Sequence, residues 1–122
     1  MHELSVATQM VELVADAVGP GVRVTVVRAR VGPLAGVVAA ALQFAFAEAC
    51  AGTVLAGARL EIENVPLAVF CPACASERTI ASPQRLLCPV CGEATPDVVS
   101  GRELEVASVE VEDVEPSTAA DR

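Results

Sequence analysis

Cys71-Pro-Ala-Cys74, a thirteen-residue spacer, then Cys88-Pro-Val-Cys91-Gly92: this stretch organises the reading of the 122-residue chain. Two residues between cysteines let both sulfurs of a tight knuckle face one cation. Two such knuckles supply four thiolates, the donor set of a tetrahedral zinc with bonds of about 2.3 Å. The spacer is slightly short of the commonest zinc-ribbon spacing but sufficient for a hairpin. Gly92 stands where a knuckle needs a residue tolerant of positive φ. Four protein ligands leave no coordination position for a substrate, so the zinc is expected to be structural. Metal binding would supply much of the folding energy of this segment, which has little apolar material of its own. An iron centre of rubredoxin type and a pair of redox disulfides are the competing readings. Aromatic shielding for iron is absent here apart from Phe70, and a reducing compartment disfavours disulfides.

Outward from the cysteines, the chain reads as a small α+β body. Glu3 to Val18 is expected to be a helix, with Val6, Met10, Leu13, Val14 and Ala17 at helical spacing. Gly19-Pro20-Gly21 stops it. Val22 to Val31 reads as a strand whose alternation slips by one residue: Val22, Val24 and Val26, then Val27, Ala29 and Val31. Such a slip marks either a β-bulge or a strand buried on both faces. After Gly32-Pro33 a second helix is expected from about Gly36 to Ala51, with a stripe of Val38, Leu42, Ala45, Phe46 and Ala49. Ala58 to Val65 is a second strand, limited by Pro66. Val98 to Gly101 reads as a connection to a last strand, Glu103 to Val111. The architecture predicted is two helices packed on a three-stranded sheet, with a zinc-ribbon-like module inserted before the last strand. Its domains would be 1–69 plus 97–112, a zinc module 70–96, and a flexible tail 113–122.

Composition narrows the function classes. Hydrophobic residues make up 53% of the chain but aromatics only 2%. The net charge is −8 and every basic side chain is Arg, with no basic cluster. Such a chain is a poor binder of phosphate backbones and offers few stacking platforms for bases, so no nucleic-acid partner is expected. The N-terminus lacks the basic-then-apolar pattern of a signal peptide, and no stretch reads as a clean membrane span. A cytoplasmic protein without membrane insertion is expected. Cys50 reads as a small buried hydrophobe.

His2 is the only histidine. A Met followed by a bulky residue usually keeps its α-amine free. That amine, the His2 backbone nitrogen and the His2 imidazole can form fused chelate rings around one metal, with Glu3 or water as fourth donor. Nitrogen-rich square-planar sites favour nickel(II) or copper(II). Because the lone histidine is terminal, no Ser/His/Asp or Cys/His catalytic set exists, and an enzyme is not expected.

Several segments together resemble the HypA/HybF family, the nickel-insertion accessory proteins of [NiFe]-hydrogenase maturation. These are Met1-His2-Glu3-Leu4-Ser5, Arg30-Val31-Gly32-Pro33-Leu34-Ala35-Gly36-Val37, Phe44-Ala45-Phe46, Leu60-Glu61-Ile62, the cysteine pairs, and Ser100-Gly101-Arg102-Glu103-Leu104. The resemblance covers residues 1 to about 112. It implies His2 as principal nickel(II) ligand, with the Met1 amine and Glu3 beside it, and zinc on Cys71, Cys74, Cys88 and Cys91. It implies a metallochaperone that passes nickel as transient cargo to a hydrogenase large subunit, with a HypB-like GTPase partner; some members also serve urease. A monomer or weak homodimer is expected. The chain departs from the family in carrying Ala75 where Gly often follows the first C-x-x-C, and in having no further histidines near the metal sites. A zinc-ribbon interaction or regulatory module without a nickel role is the alternative function.

Overall fold

The computed structural model describes residues 2–95 and 97–113. In chain order the elements are α1 (Glu3–Val18), β1 (Val22–Val31), a 3₁₀ turn (Pro33–Ala35), α2 (Ala39–Cys50), β2 (Arg59–Asn64), β3 (Ala68–Cys71), β4 (Ser76–Thr79), β5 (Asp97–Ser100) and β6 (Leu104–Asp113). They make two helices and two three-stranded sheets, ordered β2-β1-β6 and β4-β3-β5. The α+β class holds, and the second sheet is an addition to it. Of the tail expected over 113–122, residues 114–122 lie outside the described residues. No described helix is long and apolar enough to cross a membrane.

The chain divides into two compact units. One is built on the residues up to Ala29, on Val37–Ile62 and on those from Val106; the other on Arg30–Gly36 and Glu63–Glu105. In the first unit α1 and α2 pack against each other. Helix α1 buries Val6, Ala7, Met10, Val11 and Val14, the i, i+4, i+8 rows that form one face of a helix. Helix α2 buries Leu42, Ala45, Phe46 and Cys50. It begins three residues later than the spacing suggests, because the 3₁₀ turn takes Pro33–Ala35 and Val38 becomes the N-cap. Val38, expected in the buried stripe, is therefore 62% exposed.

Strand β1 lies at the centre of its sheet. Its burial alternates at Val24 and Val26, slips, and resumes at Val27, Ala29 and Val31. The other face is not apolar. In the first unit Arg28 pairs there with Glu61 of β2, at 3.0 Å, and with Glu110 of β6. Arg30 pairs with Glu105 of β6 at 2.9 Å within the second unit. A strand buried on both faces would leave these guanidinium groups without water, so the slip moves the alternation by one residue and burial stays one-sided.

The second unit has a small core of Leu67, Val69 and Ile80, with Leu34, Leu86 and Val98 packed around it. Strand β3 is its centre and pairs antiparallel with β4 and β5. The expected connection at Val98–Gly101 is thus strand β5 as far as Ser100. Four residues with one apolar pair carry too little periodicity to announce a strand, and only pairing with β3 makes them one. Two family-like glycines meet in this unit. Leu34 donates its N–H to the Gly101 carbonyl at 2.8 Å, and Gly32 donates to the Glu103 carbonyl at 2.8 Å. A Cβ on Gly32 would stand 2.2 Å from the Gly101 carbonyl carbon and oxygen, so the two backbones touch where no side chain fits.

Candidate metal centre

Both cysteine pairs sit on tight turns. The first is the β3–β4 connection: Cys71 is the last residue of β3 and pairs with Ser76, the first of β4. Cys74 turns its backbone N–H onto the Cys71 Sγ at 3.4 Å. The second is the tip of a loop closed by the Leu87–Ala94 bridge. Val90 and Cys91 direct their N–H groups at the Cys88 Sγ, at 3.4 and 3.5 Å. Gly92 N–H returns to the Cys88 carbonyl at 2.8 Å. Backbone N–H groups aimed at sulfur favour the thiolate form, the form that binds metal. The residue after each pair has positive φ, +53° at Ala75 and +80° at Gly92. Gly92 does this without strain, whereas Ala75 carries a Cβ in the left-handed region.

The four Sγ atoms all lie within 4.8 Å of one another. Cys71 and Cys91 approach to 3.5 Å, Cys74 and Cys88 to 3.9 Å. A tetrahedron with bonds of about 2.3 Å requires sulfurs about 3.8 Å apart, so the cluster fits a structural zinc ion. Cys71 and Cys88 are buried, Cys74 is half-buried and Cys91 exposed.

The protonation tendencies point the same way. The Cys91 backbone N–H, chief among several donors, lowers the Cys88 thiol to about 6 against the opposition of burial. At Cys91 a backbone hydrogen bond involving Glu93 lowers the thiol, but Cys71, burial, Cys88 and Cys74 outweigh it and push it up to about 12. Sulfurs this close cannot all ionise beside one another without a cation between them. A divalent ion would supply the missing charge and displace the protons.

The chain's start is built differently. His2 is exposed, in extended conformation, and is the N-cap of α1. Its carbonyl accepts the Val6 N–H at 3.1 Å, and its side chain caps nothing. Met1, the other residue expected in a terminal chelate, lies outside the described residues. Glu3 opens α1, where backbone N–H groups have no intrahelical partner. Its Oε2 accepts the backbone N–H of Val38, the N-cap of α2, at 2.9 Å. That bond, first among several causes, holds the Glu3 carboxyl below its usual range. The sequence reading put Glu3 beside a metal but had no signal for this second role, since 35 residues separate Glu3 from Val38. Cys50 is buried at the end of α2, and burial pushes its thiol up to about 11, as for an inert core cysteine.

The model of the family described as "Hydrogenase/urease nickel incorporation, metallochaperone, hypA" matches residues 1–111. The chain belongs to the HypA family. Among its relatives is the hydrogenase maturation factor HypA of Chloroflexus aurantiacus, 50% identical over 112 residues, covering 90% of this chain and 98% of the relative. The protein of the same name from Streptomyces avermitilis is 49% identical over 116 residues, covering 93% and 88%. The HypA fold is also that of the solution structure of the nickel metallochaperone HypA from Helicobacter pylori. The two superpose with a TM-score of 0.62 at 20% identity, covering 90% of this chain and 97% of that one.

Proposed function

We propose that this HypA-family chain is a nickel metallochaperone that captures Ni(II) at its N-terminus and hands it to a [NiFe]-hydrogenase large subunit during maturation. The observation that carries the reading is the match of residues 1–111 to a family of nickel-incorporation metallochaperones. Capture uses the Met1 amine, the His2 backbone nitrogen and imidazole, and a fourth donor from Glu3. Supporting this, the His2 side chain is exposed and makes no capping hydrogen bond, and the Glu3 backbone N–H falls in the unpaired first turn of α1. Transfer proceeds by ligand exchange with no turnover, so the protein is not an enzyme. Segments 1–69 and 97–112 serve nickel capture, and the zinc module 70–96, held by Cys71, Cys74, Cys88 and Cys91, is structural support. The protein acts in the cytoplasm, where its thiols stay reduced, as a monomer or weak homodimer beside a HypB-like GTPase.

The test is a nickel titration of protein with its native terminus, repeated with His2→Ala and with one residue added before Met1. Both changes are expected to abolish tight binding. Unchanged nickel affinity in both variants would remove the terminal chelate from consideration.

A further inference from the structure

A zinc ion bound by four thiolates leaves a net charge of −2 on the centre, and part of that charge is buried, since Cys71 is 0% and Cys88 2% exposed. Backbone N–H groups reach the Cys71 and Cys88 sulfurs but carry no net charge. A buried anion of this kind calls for a counter-charge.

The β3–β4 register supplies one. Cys71 pairs with Ser76 and Val69 with Arg78. Residues paired across neighbouring strands project to the same face, and so do residues two apart along one strand. Val69, Cys71, Ser76 and Arg78 therefore share one face of the sheet. Val69 and Cys71 are both fully buried on it, and along β4 Ser76 and Arg78 are half-buried while Glu77 and Thr79 are exposed. The position of Arg78 is thus one that a hydrophobic side chain would ordinarily fill. Its Nε is shielded from solvent and has no hydrogen-bond partner among the described residues, an arrangement avoided in folded proteins unless something else satisfies the group. Arg78 thus stands on the face of β3 and β4 that carries the Cys71 side chain, at the edge of the four-sulfur cluster. Arg85 also lines the open cavity beside Cys88, but it is exposed.

We propose that Arg78 is the counter-charge of the zinc–tetrathiolate centre, its guanidinium donating N–H groups to the cysteine sulfurs it faces and so making the bound zinc slow to leave. The inference rests on the four cysteines holding zinc. Hydrogen bonds to a coordinated thiolate draw electron density from the sulfur and lower its nucleophilicity. Protonation and attack by electrophiles, the routes by which a zinc–thiolate bond breaks, are both slowed. Arg rather than Lys suits the role, because a planar fork reaches two sulfurs at once.

Arg78→Met, Arg78→Lys and the control Arg85→Met are prepared with zinc. Zinc per chain is measured first, then the rates of zinc transfer to excess chromophoric chelator and of alkylation by N-ethylmaleimide. The sulfur-to-cobalt charge-transfer band is recorded after Co(II) substitution. Arg78→Met is expected to keep one zinc per chain but to lose it, and to be alkylated, about 10- to 100-fold faster. Its cobalt band moves to lower energy. Arg78→Lys recovers part of both effects, and Arg85→Met behaves as the parent. Rates within twofold of the parent and an unmoved band in Arg78→Met would overturn the proposal, as would equal effects of Arg78→Met and Arg85→Met. Should Arg78→Met not fold, an unmoved band and unchanged rates in folded Arg78→Lys overturn it. A parent protein without zinc, or Cys88→Ser with full zinc, would instead overturn the zinc assignment itself.

Discussion

Gly32→Ala tests whether the close approach of two backbones holds the cysteine-bearing unit together. Gly32 has φ −100° and ψ 161°, values any residue adopts, so the substitution brings no dihedral strain. The effect comes from space alone. The new Cβ would stand 2.2 Å from the Gly101 carbonyl carbon and oxygen and 2.7 Å from its Cα. Those are backbone atoms with no rotamer to change, and ordinary contact requires the strands to part by about 1 Å. The Leu34 N–H bond to Gly101 and the Gly32 N–H bond to Glu103, both 2.8 Å, cannot survive that shift. Gly32 and Gly101 are buried, and each unmade buried bond costs about 1–3 kcal/mol. The lower unfolded-state entropy of Ala offsets about 0.4–1 kcal/mol, leaving a net loss of about 1–5.6 kcal/mol. The chain has no Trp or Tyr, so urea unfolding is best followed by zinc release to a chromophoric chelator, with circular dichroism reporting the helices. Gly36→Ala is the control: φ is +76° and nothing lies within 4 Å, so only left-handed strain of about 1 kcal/mol is expected. A loss below about 1 kcal/mol in Gly32→Ala, with an unchanged urea dependence, would refute the reasoning.

Three further outcomes are expected. Ala75→Gly removes a Cβ from the left-handed region at φ +53° and should stabilise the zinc-loaded unit by about 0.5–1 kcal/mol in urea unfolding, after the entropy gained by the unfolded Gly is subtracted. Stripping zinc should melt the amide signals of β3, β4 and the Leu87–Ala94 loop, whose apolar core is small, while helical circular dichroism persists; loss of both together would contradict two separately held units. The Val38 N–H, first among several causes, holds the Glu3 carboxyl below the usual carboxylate range. Its stabilisation is therefore present above the unfolded value and lost as pH falls through the lower folded value. Glu3→Gln should flatten this acid limb of the stability profile, and an unaltered limb would show that the contact contributes nothing.

Much of the first unit was legible because its signals are periodic. Of the stripe Val6, Met10, Leu13, Val14 and Ala17, Val6, Met10 and Val14 are buried while Leu13 and Ala17 are exposed, and α1 occupies Glu3–Val18 as expected. The one-residue slip at Val26–Val27 was visible in the alternation of Val and Arg, but choosing between its two readings needed the partners of Arg28 and Arg30, which come from strands far away in the chain. Periodicity does not mark the start of α2, since Pro33-Leu34-Ala35 and the residues to Val38 are as apolar as the helix itself. Strands β3, β4 and β5 were not foreseen. Each is four residues long, and Ser76-Glu77-Arg78-Thr79 has no apolar member, so pairing rather than propensity makes it a strand.

The sequence by itself determined the four-cysteine pattern, since the two-residue gaps in Cys71–Cys74 and Cys88–Cys91 fix how two sulfurs of one knuckle can point, whatever surrounds them. It also showed that His2 is the lone histidine of the sequence. Only the tertiary structure decided what stands beside these groups. The Glu3 carboxylate meets the N-cap of α2, and Arg78 shares a sheet face with Cys71, because strand register and helix packing join residues that no local spacing relates. Ligand geometry within a knuckle is a short-range property of the chain; the charge and hydrogen bonds around it are long-range, and only a folded chain sets them.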